Sequence, residues 1–239
     1  KIFFKFFYKL SNLIIVNDED FKNSIDKYFN IKASIVHNSV NLKKIEKKSR
    51  FKTNFNFFKK KSLNIISVGR LTDQKDHITL LKAINVSNKK NHIKLVIIGS
   101  GYKKDYLQNF IWKNRLNKTV KLLGYKENPY KYIKLSDIFV LSSKFEGSPN
   151  ILLEAAVLKK LIISSDCKTG PRKLLSNNKG GYLFKVGDYY ELSKIIDKLK
   201  LNNREAQKKI NYTYKLVKKN YNEKNQRKEF LKIIKKIEK

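Results

Sequence analysis

The sequence predicts an α/β fold, a parallel sheet with helices on both faces, and three observations carry that prediction. Short apolar runs alternate with stretches at helical spacing, the rhythm of right-handed strand-helix-strand units. The runs at 63–68, 93–98 and 137–143 are nearly unbroken, which suits strands buried on both faces. Gly69, Gly99 and Gly147 stand just past such runs, where the chain has to turn sharply.

Taken in order, residues 1–16 (KIFFKFFYKLSNLIIV) mix basic and apolar residues in the manner of a secretory signal. Lys5 and Lys9 interrupt the apolar stretch, no small-residue cleavage site follows, and nothing is long enough to span a bilayer. The segment reads as a helix entering a strand at 13–16. A helix over 20–29 and a strand over 35–37 follow. Asp18-Glu19-Asp20 contains D-x-D, a metal-diphosphate pattern, but immediately precedes a helix, where acids cap amides and complement the dipole; the cap is the expectation. Residues 43–62 are basic and polar with scattered aromatics and read as a linker. Strands at 63–68, 93–98 and 120–123 alternate with helices at 78–86 and 106–116. The stretch 137–166 then gives strand, loop, helix (150–158) and strand (161–166), with Ser148 expected to cap that helix and Pro149 in its first turn. Beyond Gly187 the chain turns helical, with Leu192, Ile195, Ile196 and Leu199 on one face and Phe230, Ile233, Ile234 and Ile237 on another. The resulting division is 1–42, the linker 43–62, a sheet domain over 63–188, and helices over 189–239.

The formal net charge is +34, mostly from lysine spread throughout. Such a balance points to an anionic partner, or to a drift of the whole composition that accompanies many Asn and Ile residues. Cys167 is the single cysteine, so no disulfide forms within the chain, and a cytoplasmic protein is the simpler expectation. His37, His77 and His92 lack metal-ligand spacing.

The loop 142–149 falls at the carboxyl end of a strand and at a helix amino terminus, where free amides and the helix dipole favour phosphate. Glu146 and Glu154 frame it. Each can accept hydrogen bonds from sugar or ribose hydroxyls, and each can equally be a solvated charge. Glu146-Gly-Ser-Pro-Asn-Ile-Leu-Leu-Glu154 resembles the E-x7-E motif of retaining, nucleotide-sugar-dependent glycosyltransferases of the GT-B fold, the glycosyl transferases group 1 family. Gly69-Arg70-Leu71 with Lys75, Gly99-Ser100-Gly101, Leu123-Gly124-Tyr125 with Asn128-Pro129-Tyr130, and Asp166-Cys167-Lys168-Thr169-Gly170-Pro171 continue the likeness over essentially the whole chain.

The resemblance implies two Rossmann-like domains facing a cleft, with the donor-binding one complete over 63–188 and residues 1–42 ending the acceptor-side one. The chain starts at Lys1 without a methionine, so preceding sequence is expected, and strands 13–16 and 35–37 should then lack sheet partners. It further implies Glu146 on the donor sugar, Glu154 on the ribose, and Arg70 and Lys75 on the diphosphate, where paired cations favour the transition state. Backbone of Gly69, Gly99, Gly101, Gly124, Gly147, Ser148, Asn150 and Ile151 should line the donor; Tyr125 either stacks on the base or packs. Gly99 and Gly101 alone are a weak signal, since no third glycine completes a dinucleotide fingerprint. Lys159-Lys160 and Lys173 depart from the pattern. The implied activity is transfer of a hexose or hexosamine from a UDP-sugar to a glycan or lipid-linked acceptor with retention. No metal or further cofactor is expected, nor specific nucleic acid. An anionic membrane surface at the inner face is a further partner. The alternatives are a UDP-sugar epimerase of similar fold and a non-catalytic basic module for nucleic acid or anionic lipid. The chain alone should bind donor without transferring sugar.

Overall fold

The computed structural model describes residues 6–8, 10–88, 92–167, 170–199 and 204–235. Six strands make one parallel sheet: β3 (Leu63–Val68), β4 (Ile93–Ile98), β5 (Val120–Leu122), β6 (Ile138–Leu141), β7 (Leu161–Ser165) and β8 (Tyr182–Phe184). Their order is β5-β4-β3-β6-β7-β8. The chain builds outward from β3 in one direction, then returns to its other side, so the order reverses between β3 and β6. In open α/β sheets a crevice opens at that reversal, outside the carboxyl ends of the strands.

Adjacent residues of each central strand serve opposite cores. Ile65, Leu95, Ile97, Val140 and Ile163 face one cluster with Leu80, Leu81, Leu107, Ile111, Leu192 and Ile196. These come from helices α3 (His77–Val86), α4 (Lys104–Lys113) and α8 (Tyr189–Lys198). Ile66, Val96, Ile98, Phe139 and Ile162 face the other, with Ile133, Leu152, Ala156 and Val217. Those belong to α5 (Tyr130–Leu135), α6 (Asn150–Val157) and α9 (Arg204–Asn220). Burial on both faces is why these strands read as continuous apolar runs.

Before the sheet, β1 (Ile15–Val16), α1 (Glu19–Phe29) and β2 (Ser34–Ile35) form a small unit around Ile14, Val16, Ile25 and Ala33. The expectation that these strands lack partners is corrected: they pair with each other in parallel, Ile15 opposite Ser34 and Val16 opposite Ile35. Asp18 caps α1 as expected, accepting from the Phe21 N–H at 2.8 Å. The unit is fastened to the end of the chain. The Val40 N–H donates to the Tyr221 carbonyl at 2.8 Å, and Asn41 Nδ2 to Glu223 at 2.8 Å, where α10 (Glu223–Ile234) begins.

Three further expectations change. Part of the 43–62 stretch is helix α2 (Leu42–Ser49), capped by Asn41 and burying Ile45 in the second core; its lysines masked the apolar spacing. Phe55, Phe57 and Phe58 pack there as well, with Phe55 edge-on to Tyr132 at 5.3 Å. Ser148 does not cap α6: Pro149 holds the cap position with extended backbone and no side-chain cap bond, so that helix begins with its amides unclaimed by any capping side chain. The short elements α5, α7 (Pro171–Leu174) and β8 were not foreseen. Ile237 lies outside the described residues.

Candidate functional site

The β3–α3 and β6–α6 loops meet at the point where the strand order reverses. Four bonds join them. The Lys144 N–H donates to the Gln74 carbonyl at 2.8 Å, Gln74 Nε2 to the Phe145 carbonyl at 3.2 Å, and Ser142 Oγ to the Lys75 carbonyl at 3.0 Å. The fourth is the ion pair of Lys75 Nζ with Glu146 Oε1 at 2.6 Å, with side chains 15% and 8% exposed. Ser143 Oγ donates to the same carboxylate oxygen at 2.6 Å. Hydrogen bonds from both partners satisfy this enclosed carboxylate, and the pair sets both side chains at the mouth of the crevice.

The glycines have steric reasons. A Cβ on Gly69 would press the Lys75 stem at 3.3 Å, so that position leaves Lys75 its path. Gly99, at φ +151°, lies so close to β3 that a Cβ would stand 1.9 Å from the Gly69 carbonyl; its own N–H donates to the Gly124 carbonyl at 3.0 Å. Gly101, at φ +155°, packs against Leu71, its Cβ position 2.4 Å from that carbonyl. The result is a floor of bare backbone across the ends of β3, β4 and β5. Arg70 is exposed beside it, and Tyr125 is 72% exposed at its edge. At that exposure Tyr125 does not pack into the core.

Gly147 is exposed, with Ser148, Asn150 and Ile151 leading into α6. Glu154, on the next turns of that helix, is half-buried and accepts from the Tyr130 hydroxyl at 3.2 Å. Burial pushes the Glu154 carboxyl above the ordinary range, partly offset by that hydrogen bond. Burial, then the neighbouring carboxylate, pushes the Tyr130 hydroxyl up to about 12. Tyr130 therefore stays a donor, and Glu154 keeps acceptor capacity for a ligand hydroxyl.

Opposite the loop stands the small unit. Asn38 Nδ2 donates to the Ser148 carbonyl at 3.0 Å, and Lys173 pairs with Glu19 at 3.0 Å. Asp18 Oδ2 lies 3.6 Å from where a Gly147 Cβ would be. Gly170, at φ +38°, backs onto Gly147, its Cβ position 2.2 Å from that carbonyl. Gln74, Tyr130, Ser143, Asn38 and Gly170 thus join the candidate site from outside the residues the sequence singles out; only Tyr130 and Gly170 fall within its motifs. Among the described residues there is no group of three His, Cys, Asp or Glu that could hold a metal ion. No described helix is long and apolar enough to cross a membrane.

The family model for glycosyl transferases group 1 matches residues 48–216. This chain belongs to that family. An uncharacterised glycosyltransferase of Methanocaldococcus jannaschii is 39% identical over 178 residues, 72% of this chain and 44% of that relative. The N-acetylgalactosamine-N,N'-diacetylbacillosaminyl-diphospho-undecaprenol 4-alpha-N-acetylgalactosaminyltransferase of Campylobacter jejuni is 32% identical over 189 residues, 78% of this chain and 50% of that relative. The chain thus spans about half the length of the curated relatives it matches. Among solved structures, Anabaena HepE in complex with UDP superposes with a TM-score of 0.83 at 15% identity, covering 95% of this chain and 64% of that one. S. aureus TarM in a complex that includes UDP gives 0.79 at 23% identity, covering 94% and 44%. The α/β architecture matches these GT-B structures.

Proposed function

We propose that this chain is the donor-binding part of a retaining glycosyltransferase that takes a sugar from a UDP-sugar and passes it to a glycan or lipid-linked acceptor. The observation that carries the reading is the Lys75–Glu146 pair across the β3/β6 crevice, with Glu154 half-buried on helix α6, which follows the Glu146 loop. Charge accumulates on the diphosphate as the glycosidic bond breaks. Lys75 supplies a point charge there and Arg70 a bidentate one, and both interactions strengthen as the leaving group becomes more negative. Glu146, fixed by Lys75 and Ser143, accepts from donor-sugar hydroxyls; Glu154 accepts from the ribose; free amides at the start of α6 meet the phosphates. Tyr125 offers a stacking face to the base. The UDP-bound neighbours and the family support UDP as the carrier. The name of the Campylobacter jejuni relative supports a lipid-linked acceptor and a hexosamine donor.

Calorimetric titration with UDP and a UDP-sugar tests the assignment. Glu154→Ala should weaken both ligands by roughly tenfold or more, the worth of a charged hydrogen bond. Glu146→Gln should spare UDP and weaken only the UDP-sugar. Equal losses for both ligands in both variants would sink it.

The net charge of +34 supports one addition, contact with an anionic membrane surface that carries a lipid-linked acceptor. Affinity for anionic vesicles should fall steeply with salt, while UDP binding survives it.

A further inference from the structure

In the proposed reading Arg70 grips a diphosphate from an exposed loop, yet an arginine free to sample its rotamers loses side-chain entropy when it is pinned. Its hydrogen-bond partner among the described residues is Gln74, whose Oε1 accepts from Arg70 Nη2 at 3.4 Å. The other end of the same amide donates from Nε2 to the Phe145 carbonyl at 3.2 Å, one residue before Glu146. The Gln74 carbonyl receives the Lys144 N–H at 2.8 Å. Gln74 therefore touches the Arg70 guanidinium and the Glu146 loop at once.

We infer that Gln74 is a positioning residue for donor binding, orienting Arg70 toward the diphosphate and locking that orientation to the loop that presents Glu146. The inference rests on the diphosphate reading of Arg70 given above. The residue type fits the task. An amide carries an acceptor and a donor on one planar group, whereas a carboxylate has only acceptors and an ammonium only donors. The amide orientation is set by its neighbours as well: rotated by half a turn, it would face nitrogen to guanidinium and oxygen to carbonyl, and both contacts would become repulsive. Sequence adds a third constraint. Gln74 immediately precedes Lys75, so one short segment sets the guanidinium through its side chain and the ammonium through its backbone.

Such a role predicts coupling, which a merely supporting residue would not show. The test is calorimetric titration of UDP and of uridine into the parent chain, Arg70→Ala, Gln74→Ala and the double variant. Gln74→Met serves as a second substitution, keeping the side-chain shape without its hydrogen bonds, and thermal unfolding checks that each variant is folded. Gln74→Ala and Gln74→Met should each weaken UDP by roughly tenfold, the worth of a hydrogen bond to a charged group, while uridine affinity stays unchanged. In the Arg70→Ala background the Gln74 substitution should add no further loss, because its effect runs through the residue already removed. Losses that multiply in the double variant, with Arg70→Ala itself weak, would overturn this inference and leave the diphosphate reading standing. A Gln74 effect equal for UDP and uridine would also overturn it, since that is the mark of general loop damage. An Arg70→Ala chain that binds UDP like the parent would overturn both.

Discussion

The β3/β6 crevice and the cleft between the small amino-terminal unit and the 147–173 loops both border Gly147, yet they are held together differently. Across the crevice run backbone and side-chain bonds from Gln74 and Lys75 to residues 142–146, ending in an ion pair whose members are 15% and 8% exposed. Across the cleft run Asn38 to the Ser148 carbonyl and a Lys173–Glu19 pair whose members are 50% and 61% exposed. Enclosed charges resist separation, whereas exposed ones exchange partners with water at little cost. The crevice is therefore preset and the opposite wall of the cleft is left adjustable, the division of labour that the proposed donor and acceptor roles would call for.

The largest effect should come from breaking the crevice. Lys75→Ala removes the cation paired with the enclosed Glu146 while the Ser143 bond remains. It should destabilise the fold by up to about 3 kcal/mol, the lower end of the scale for breaking a buried ion pair. It should also weaken UDP by roughly tenfold to a hundredfold through the lost charged hydrogen bonds. Pairing Lys75→Met with Glu146→Met should recover the stability but not the UDP affinity. Chemical denaturation and calorimetry on the single and double variants separate the two; recovery of both would mean that Lys75 serves only the fold.

A smaller effect follows from Glu154. Its carboxyl lies above the ordinary value of 4.5 because burial penalises the charged form. Hydrogen bonds from a ribose need that charged form. UDP affinity should therefore fall as pH drops through the raised value, beginning at a pH where an exposed glutamate would still be ionised. Calorimetry across mildly acidic pH reads it, and Glu154→Gln should flatten the profile; an unchanged slope in that variant would assign the titration elsewhere.

The smallest effect should come from the cleft. Lys173→Ala and Glu19→Ala each break an exposed pair and should leave UDP affinity and unfolding midpoint where they were. A clear loss of UDP binding in either would show that the cleft is as preset as the crevice, and the contrast would fail.

Sequence foresaw the parts of this arrangement that local chemistry dictates. Strands β3 and β4 match expectation at both ends because apolar residues, mostly β-branched and buried on both faces, fill most of their six positions, and Asn64, Ser67 and Lys94 are too few to break the run. Asp18 was read as a cap because acid before helix is a local signal. Helix α2 was lost behind Lys43, Lys44, Lys47 and Lys48, and β8 is three residues between a glycine pair and a lysine, too short to show a period. At the site, residue types carried the reading of Glu146 and Lys75, but their pairing spans 71 positions. Tyr130 meeting Glu154 and Asn38 meeting Ser148 are likewise products of the assembled sheet, across 24 and 110 positions. Gln74 left no trace, since a polar loop residue gains its meaning only from what lies across the crevice.

The tie between Asn41 and Glu223 joins residues 182 positions apart. Contacts so distant in sequence form late, because closing a long loop costs entropy before any bond repays it. During synthesis, β1, α1 and β2 leave the ribosome long before α9 and α10, and α9 also supplies Val217 to the second core of the sheet. Seating the small unit and closing that core should therefore wait on the same late stretch of chain.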